Sequence, residues 1–229
     1  MTSFHPHLLG VLLTIDLILV ALHILASVLG WQHQGVYLHI DQGWAERFQY
    51  AKTLWIATAA AWLGRRSQAV VLWVWSGLFA YIVLDDSLSI HESYGHHLHL
   101  LFDLPALWGL RPQDIGELAV LSCVGAVFVC LLAMASAVSA SWGRAVTADL
   151  LLLLVGLSVF GVVVDMLHII VDAYSVRGFT LIEDGGELMM MSLIAAYMAR
   201  VAIDGGAMPG QLPRRLVAMS GRRRIPRSP

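Results

Sequence analysis

Four stretches of this sequence place acids or imidazoles beside or inside long apolar runs. Asp85, Asp86, His91 and Glu92 close one run, Asp165, His168 and Asp172 close another, and Glu183, Asp184 and Glu187 open a third; Asp16 and His23 sit within a fourth. At membrane depth an ionisable group costs about 3 kcal/mol or more unless it is paired, hydrated or metal-bound. Carboxylates gathered in this number repel one another in low dielectric, so either several hold protons or a cation balances them. The runs offer His23, His91 and His168 as possible cations and, on this reading, no intramembrane Lys or Arg. Mixed carboxylate and imidazole sets suit zinc, iron or manganese. Asp86, Asp165, His168, Glu183, Asp184 and Glu187 are therefore the expected ligands of a divalent metal. Asp85, His91 and Glu92 are the expected catalytic acid–base groups. Four-helix di-metal bundles use two Glu and two Glu-x-x-His motifs; Asp165-Met-Leu-His168 is one acid-x-x-His pair, and a second copy is absent.

Helical spacing aligns these groups. Asp85, Ser89, Glu92 and His96 fall within about 60° of arc if one helix runs past Gly95. Asp165, His168 and Asp172 follow i, i+3, i+7; Glu183 and Glu187 follow i, i+4; Asp16 and His23 are seven apart on one face. Four converging polar stripes predict one shared chamber.

The elements that must carry these stripes are membrane helices. Of the 229 residues 58% are hydrophobic and 13% charged, about half the charged fraction of a soluble domain. The mean hydropathy is +0.73. Soluble enzyme, disordered chain and nucleic-acid binder are poor classes for such a composition. Apolar runs predict an all-α polytopic bundle of six transmembrane helices, at 8–30, 48–64, 69–90, 116–140, 146–172 and 181–203, within one domain of residues 1–204. The second run is the weakest. The first, led by MTSFHPH without Lys or Arg, reads as an anchor rather than a cleaved signal. Residues 205–229 read as a basic, flexible cytoplasmic tail. With both termini on one side, ten basic residues lie there (Arg65, Arg66, Arg144, Arg200 and six in the tail) against Arg47, Lys52, Arg111 and Arg177 opposite. The bias predicts cytoplasmic termini in a plasma (inner) membrane and places the acids in the periplasmic half. The link 93–115, with Pro105 and Pro112, has room for a short interfacial helix.

Other residues have plainer readings. Cys123 and Cys130, a helical seven apart, lie too far from each other for a disulfide and read as apolar filler. Trp31, Tyr37 and Trp44 read as an interface belt, with His33, His39, Asp41 and Glu46 free to cap the site. Met189, Met190 and Met191 read as packing, and Gly185-Gly186 as a place of close helix approach. His96, His97 and His99 read as solvated, or as lining the mouth.

Leu84-Asp85-Asp86-Ser-Leu-Ser-Ile-His91-Glu92, taken with Ile182-Glu183-Asp184-Gly-Gly-Glu187-Leu, resembles a group of uncharacterised small bacterial multi-pass membrane proteins. Their pattern is an acidic pair followed by His-Glu in one helix, then Glu-Glu-x-x-Glu opening a late helix. Asp86 and Asp184 stand here where Glu is usual. The resemblance implies topology and site location and no activity. The segment from His91 to His99 also resembles one histidine box of membrane desaturases, but no further box follows. The ceramidase-like zinc hydrolases are a distant likeness, as their late paired His motif has no counterpart.

Three functions stay open. One is a metal-dependent membrane enzyme, hydrolase or oxidase, acting on a lipid-like or small-molecule substrate at the periplasmic face. Another is a transporter or channel subunit for protons or divalent metal. The last is a non-catalytic subunit whose acids form a structural network. The lipid bilayer is the expected partner and nucleic acid is not; oligomeric state, substrate and metal identity are not written in the sequence.

Overall fold

The computed structural model describes residues 4–172 and 179–204. Their fold is all-α: α1 (Phe4–Leu29), α2 (Trp44–Ser67), α3 (Val70–Leu88), α4 (Ile90–Phe102), α5 (Pro112–Val138), α6 (Ser141–Ser158), α7 (Asp165–Asp172) and α8 (Phe179–Ile203). A π-helical turn, Val159–Val164, joins α6 to α7, so the segments make seven rods. Five stretches are long and apolar enough to cross a bilayer: His7–Leu29, Val70–Leu88, Pro112–Val138, Ser141–Ile170 and Leu181–Ile203. This is the pattern of a multi-pass membrane protein. The expected second span, α2, has the length but not the hydropathy, because its 24 residues include Glu46, Arg47, Lys52, Arg65 and Arg66.

Leaving aside the short α4, successive long rods alternate in direction. One end of the bundle, where α1, α3 and α7 stop and α2, α5 and α8 begin, carries the acids; the opposite end carries Arg65, Arg66, Arg144 and Arg200. Half of α8's most apolar window is buried (50%), against 11% for α1 and for α5. α8 is thus central, packed on α1, α2 and the α6–π rod, while α2 also lies along α3. The remaining apolar surface faces outward, as Val11, Leu17, Ile18 and Leu25 of α1 and Val127, Val129 and Met134 of α5 do. Patches of that size are rare on soluble monomers and natural against lipid. The main core, around Trp75, Phe79, Ile56, Leu150, Met191, Ile194 and Met198, lies between α2, α3, α6 and α8, nearer the basic end.

Local chemistry sets the breaks. Ser89 adopts the left-handed conformation (φ 47°, ψ 48°), ending α3. The third helix thus stops close to the expected 90 and does not run on past Gly95; α4 follows as a short helix that starts just before the 93–115 link. α4 then lies on the start of α5 at a backbone-to-backbone crossing, where a Cβ on Gly116 would strike the Gly95 carbonyl. α5 opens on Pro112, with Asp114 accepting from the Arg111 amide (2.7 Å) and guanidinium (2.7 Å), which closes the helix start. The loop holding Arg177 and the tail 205–229 lie outside the described residues, as does the side chain of Asp172.

Candidate functional site

At the acidic end a cavity of about 270 Å³ opens between α2, α3, α5, the α6–π rod and α8. Its polar wall is Gln49, Tyr81, Asp85, Asp86, His91 and Glu187; its apolar wall includes Leu78, Leu121, Leu154 and Met191. Asp85 organises the polar wall. The turn at Ser89 folds α4 back, so the His91 amide donates to Asp85 Oδ1 (3.0 Å) while the His91 ring meets Oδ2 through Nδ1 (2.9 Å). Tyr81 Oη, one helical turn earlier, donates to Oδ1 (3.1 Å). The hydrogen bond to Asp85 pushes the His91 imidazole above its ordinary value, against the opposing effect of burial. With Nδ1–H held by the carboxylate, Nε2 is the atom left to exchange a proton.

Across the cavity, Gln49 Nε2 donates to Glu187 Oε2 (3.1 Å). The π turn brings Gly161 against the same carboxylate, leaving no room there for a Cβ. One residue away on each rod, the Phe160 ring lies against Gly186, the close approach expected of the glycine pair. A π turn widens the helix by one residue, which lets the rod press its backbone onto α8 beside Glu187.

A second group lies next to the first. His168 Nδ1 pairs with Glu183 Oε2 at 2.6 Å, and Phe179 stacks on the imidazole at 5.8 Å. Asp165 and Asp184 lie within electrostatic reach of that pair, and Glu183, Asp184 and Asp86 within reach of Glu187. Glu46 of α2 acts on both Asp86 and Asp184, and is itself tied to Tyr50 and the Gln42 amide. α3, α7 and α8 therefore do bring their acids to one end, as two adjoining clusters with Glu187 between them.

Several expectations need correction. Glu92 is exposed and does not line the cavity, because the break at Ser89 rotates α4 relative to α3. Asp16 and His23 do not join the acids. Asp16 is fully buried against Lys52, whose Nζ donates to Asp16 Oδ1 (3.0 Å), the Leu188 carbonyl (2.7 Å) and Ser192 Oγ (3.0 Å), while Ser192 donates to Asp16 Oδ2 (2.6 Å). Lys52, placed on the outer side from sequence, is thus the buried cation whose absence the reading assumed. His23 faces the α1–α2 loop instead. His96 and His97 are exposed, as the solvated reading has it, with His97 Nδ1 on the Ser93 carbonyl at 2.6 Å. Among the described residues no three His, Cys, Asp or Glu side chains converge in a metal-binding arrangement. The strongest donors are instead spent on each other in pairs.

Sequence reading also missed Gln49, Tyr81, Gly161 and Ser192. The available signal was α2 itself: polar Gln49 and Lys52 at i, i+3 within a run of spanning length mark a face turned inward. No curated protein and no solved structure matches the chain. One family matches residues 11–201, a span that holds every site residue named above, and the chain belongs to that family, described as Domain of unknown function (DUF8692).

Proposed function

We propose that this chain is a six-pass inner-membrane enzyme that runs acid–base chemistry on an amphipathic, lipid-like substrate at the periplasmic side. The observation that carries the reading is the Tyr81–Asp85–His91 array in the wall of a cavity that is polar on one side and apolar on the other. Asp85 orients the imidazole and favours its charged form, His91 Nε2 takes a proton from the attacking or departing group, and Glu187 is the acid on the facing wall. The apolar wall accepts a hydrocarbon tail. α2 supplies the sixth crossing: Lys52 is neutralised by Asp16, and Leu54, Trp55 and Trp62 point outward. Arginines at the basic end set that end in the cytoplasm.

The test is conversion of an extracted membrane-lipid mixture by purified protein, read by mass spectrometry. Wild type should consume a lipid-like component; His91→Gln, Asp85→Asn and Glu187→Gln should lose turnover by about a hundredfold or more, the usual share of a general acid–base group, while keeping the fold. Turnover by His91→Gln at the wild-type rate would remove the reading.

One observation favours a metal beside this chemistry. Asp184 Oδ2 is buried with no hydrogen-bond partner among the described residues, next to Asp165, His168 and Glu183. Asp165, His168, Glu183 and Asp184 do not converge as a preformed ligand set among the described residues, so zinc, iron or manganese there would have to draw them out of the pairs they form; a metal so held would be stoichiometric and lost in His168→Ala and Glu183→Ala. Metal retained by both variants would refute that ligand set. Ion conduction has less support, since Asp16 and Asp149, the acids deeper in the bundle, are bonded to Lys52 and Tyr197.

A further inference from the structure

The loop from α1 to α2 is fastened to the bundle at one chemically unusual point. The Leu38 amide donates to His23 Nδ1 at 3.1 Å, in a buried setting. Nδ1 can accept only when it carries no proton, so His23 is the neutral tautomer with its hydrogen on Nε2. Leu38 itself is buried against Ala45 of α2 and Leu188 of α8, with Leu19, Val20 and Leu181 around them. Leu188 is the next residue after Glu187, so the loop packs on the stretch of α8 that carries the acids. His23 also lines an open cavity of about 740 Å³, with Ile24, Ser27, Val28, Tyr37, His39 and Leu181. That cavity is the route by which a proton would reach the ring. Its titratable neighbours among the described residues are Tyr37 and His39, both on the loop, edge-on at 5.8 and 5.9 Å; α8 presents Leu181 there.

We propose that His23 is an acid-released latch for the 31–43 loop. A proton taken up on Nδ1 replaces the lone pair with an N–H that faces the Leu38 N–H. The acceptor becomes a donor, and the buried amide loses its only partner on that side. His39 on the loop stands edge-on at 5.9 Å to the ring that would gain the charge. Tyr37, donating to the Trp31 carbonyl (2.8 Å) and the Ala26 carbonyl (3.2 Å), keeps the first half of the loop attached and serves as the hinge side. Release of Leu38 uncovers the first turns of α8 and the acids beside them. The device does not depend on which reaction those acids perform.

Hydrogen exchange of the full chain in lipid nanodiscs tests it, corrected for the intrinsic pH dependence of exchange. Between pH 7.5 and pH 5.0 the peptide covering 36–41 should lose protection by roughly tenfold or more, while a peptide within 192–201 stays unchanged. In His23→Gln the side-chain oxygen accepts from the Leu38 amide at either pH, so the protection becomes pH-independent. Constant protection in the wild type, or an equal loss in His23→Gln, overturns the latch. Nitrogen NMR of the wild-type histidines guards against a misfolded variant. Protonation of His23 Nδ1 must share its midpoint with the loss of protection, and separate midpoints overturn the proposal equally.

Discussion

Replacing Lys52 by Met isolates a fully buried ion pair of the bundle. Lys52 is 4% exposed and Asp16 0%, and the ammonium satisfies a carboxylate, a carbonyl and a hydroxyl at 2.7–3.0 Å. Removing one member of a buried pair costs about 3–5 kcal/mol, because the remaining charge stays desolvated without compensation. The Leu188 carbonyl loses a donor as well, worth about 1 kcal/mol more. For a chain of this size each kcal/mol moves Tm by about 2–4 °C, so Lys52→Met should lower it by roughly 10 °C or more. Replacing both partners with apolar side chains removes the stranded charge, and the double variant Asp16→Leu/Lys52→Met should recover most of the loss. Thermal unfolding in one detergent, followed by circular dichroism across the full double-mutant cycle, measures both. A single variant that loses less than about 1 kcal/mol, or a double variant less stable than Lys52→Met, would refute the view that this pair carries α2 through the bilayer.

Other variants probe the site. The raised value of His91 means that its bond to Asp85 stabilises the fold fully below the ordinary imidazole value of 6.5 and that this contribution fades as pH rises through the higher folded value. Asp85→Asn should bring the His91 titration, read by NMR, down toward the ordinary value and flatten that part of the stability profile. Gly161→Ala puts a methyl against the Glu187 carboxylate and should cost about 1–3 kcal/mol in thermal stability; Gly125→Ala, with nothing within 4 Å, should be neutral or stabilising by up to about 1 kcal/mol. Gly116→Ala forces α4 off the Gly95 carbonyl and should also destabilise by about 1–3 kcal/mol, detectable in the same melting assay.

The rods were legible because a bilayer demands long apolar segments with every backbone group bonded internally, a constraint that the chain states locally. The runs at 69–90, 116–140, 146–172 and 181–203 recur as α3, α5, the α6–α7 rod and α8. The gathering of Asp85, His91, His168, Glu183 and Glu187 at one end also follows from alternation of direction along the chain. Hydropathy could not settle α2, since a charged residue counts against a span whether or not a partner on another helix neutralises it. The apolar run placed the end of the third helix near residue 90, but nothing in its periodicity gave the geometry at Ser89, where a single left-handed residue turned Glu92 away and bent His91 back onto Asp85. What the sequence alone determined is which helices carry ionisable groups and at which end. Which of those groups meet was decided only by packing: Lys52 with Asp16, Gln49 with Glu187 and His23 with the Leu38 amide join residues 36, 138 and 15 positions apart. Such pairs depend on the rotation of one rod against another, which no stretch of chain encodes by itself.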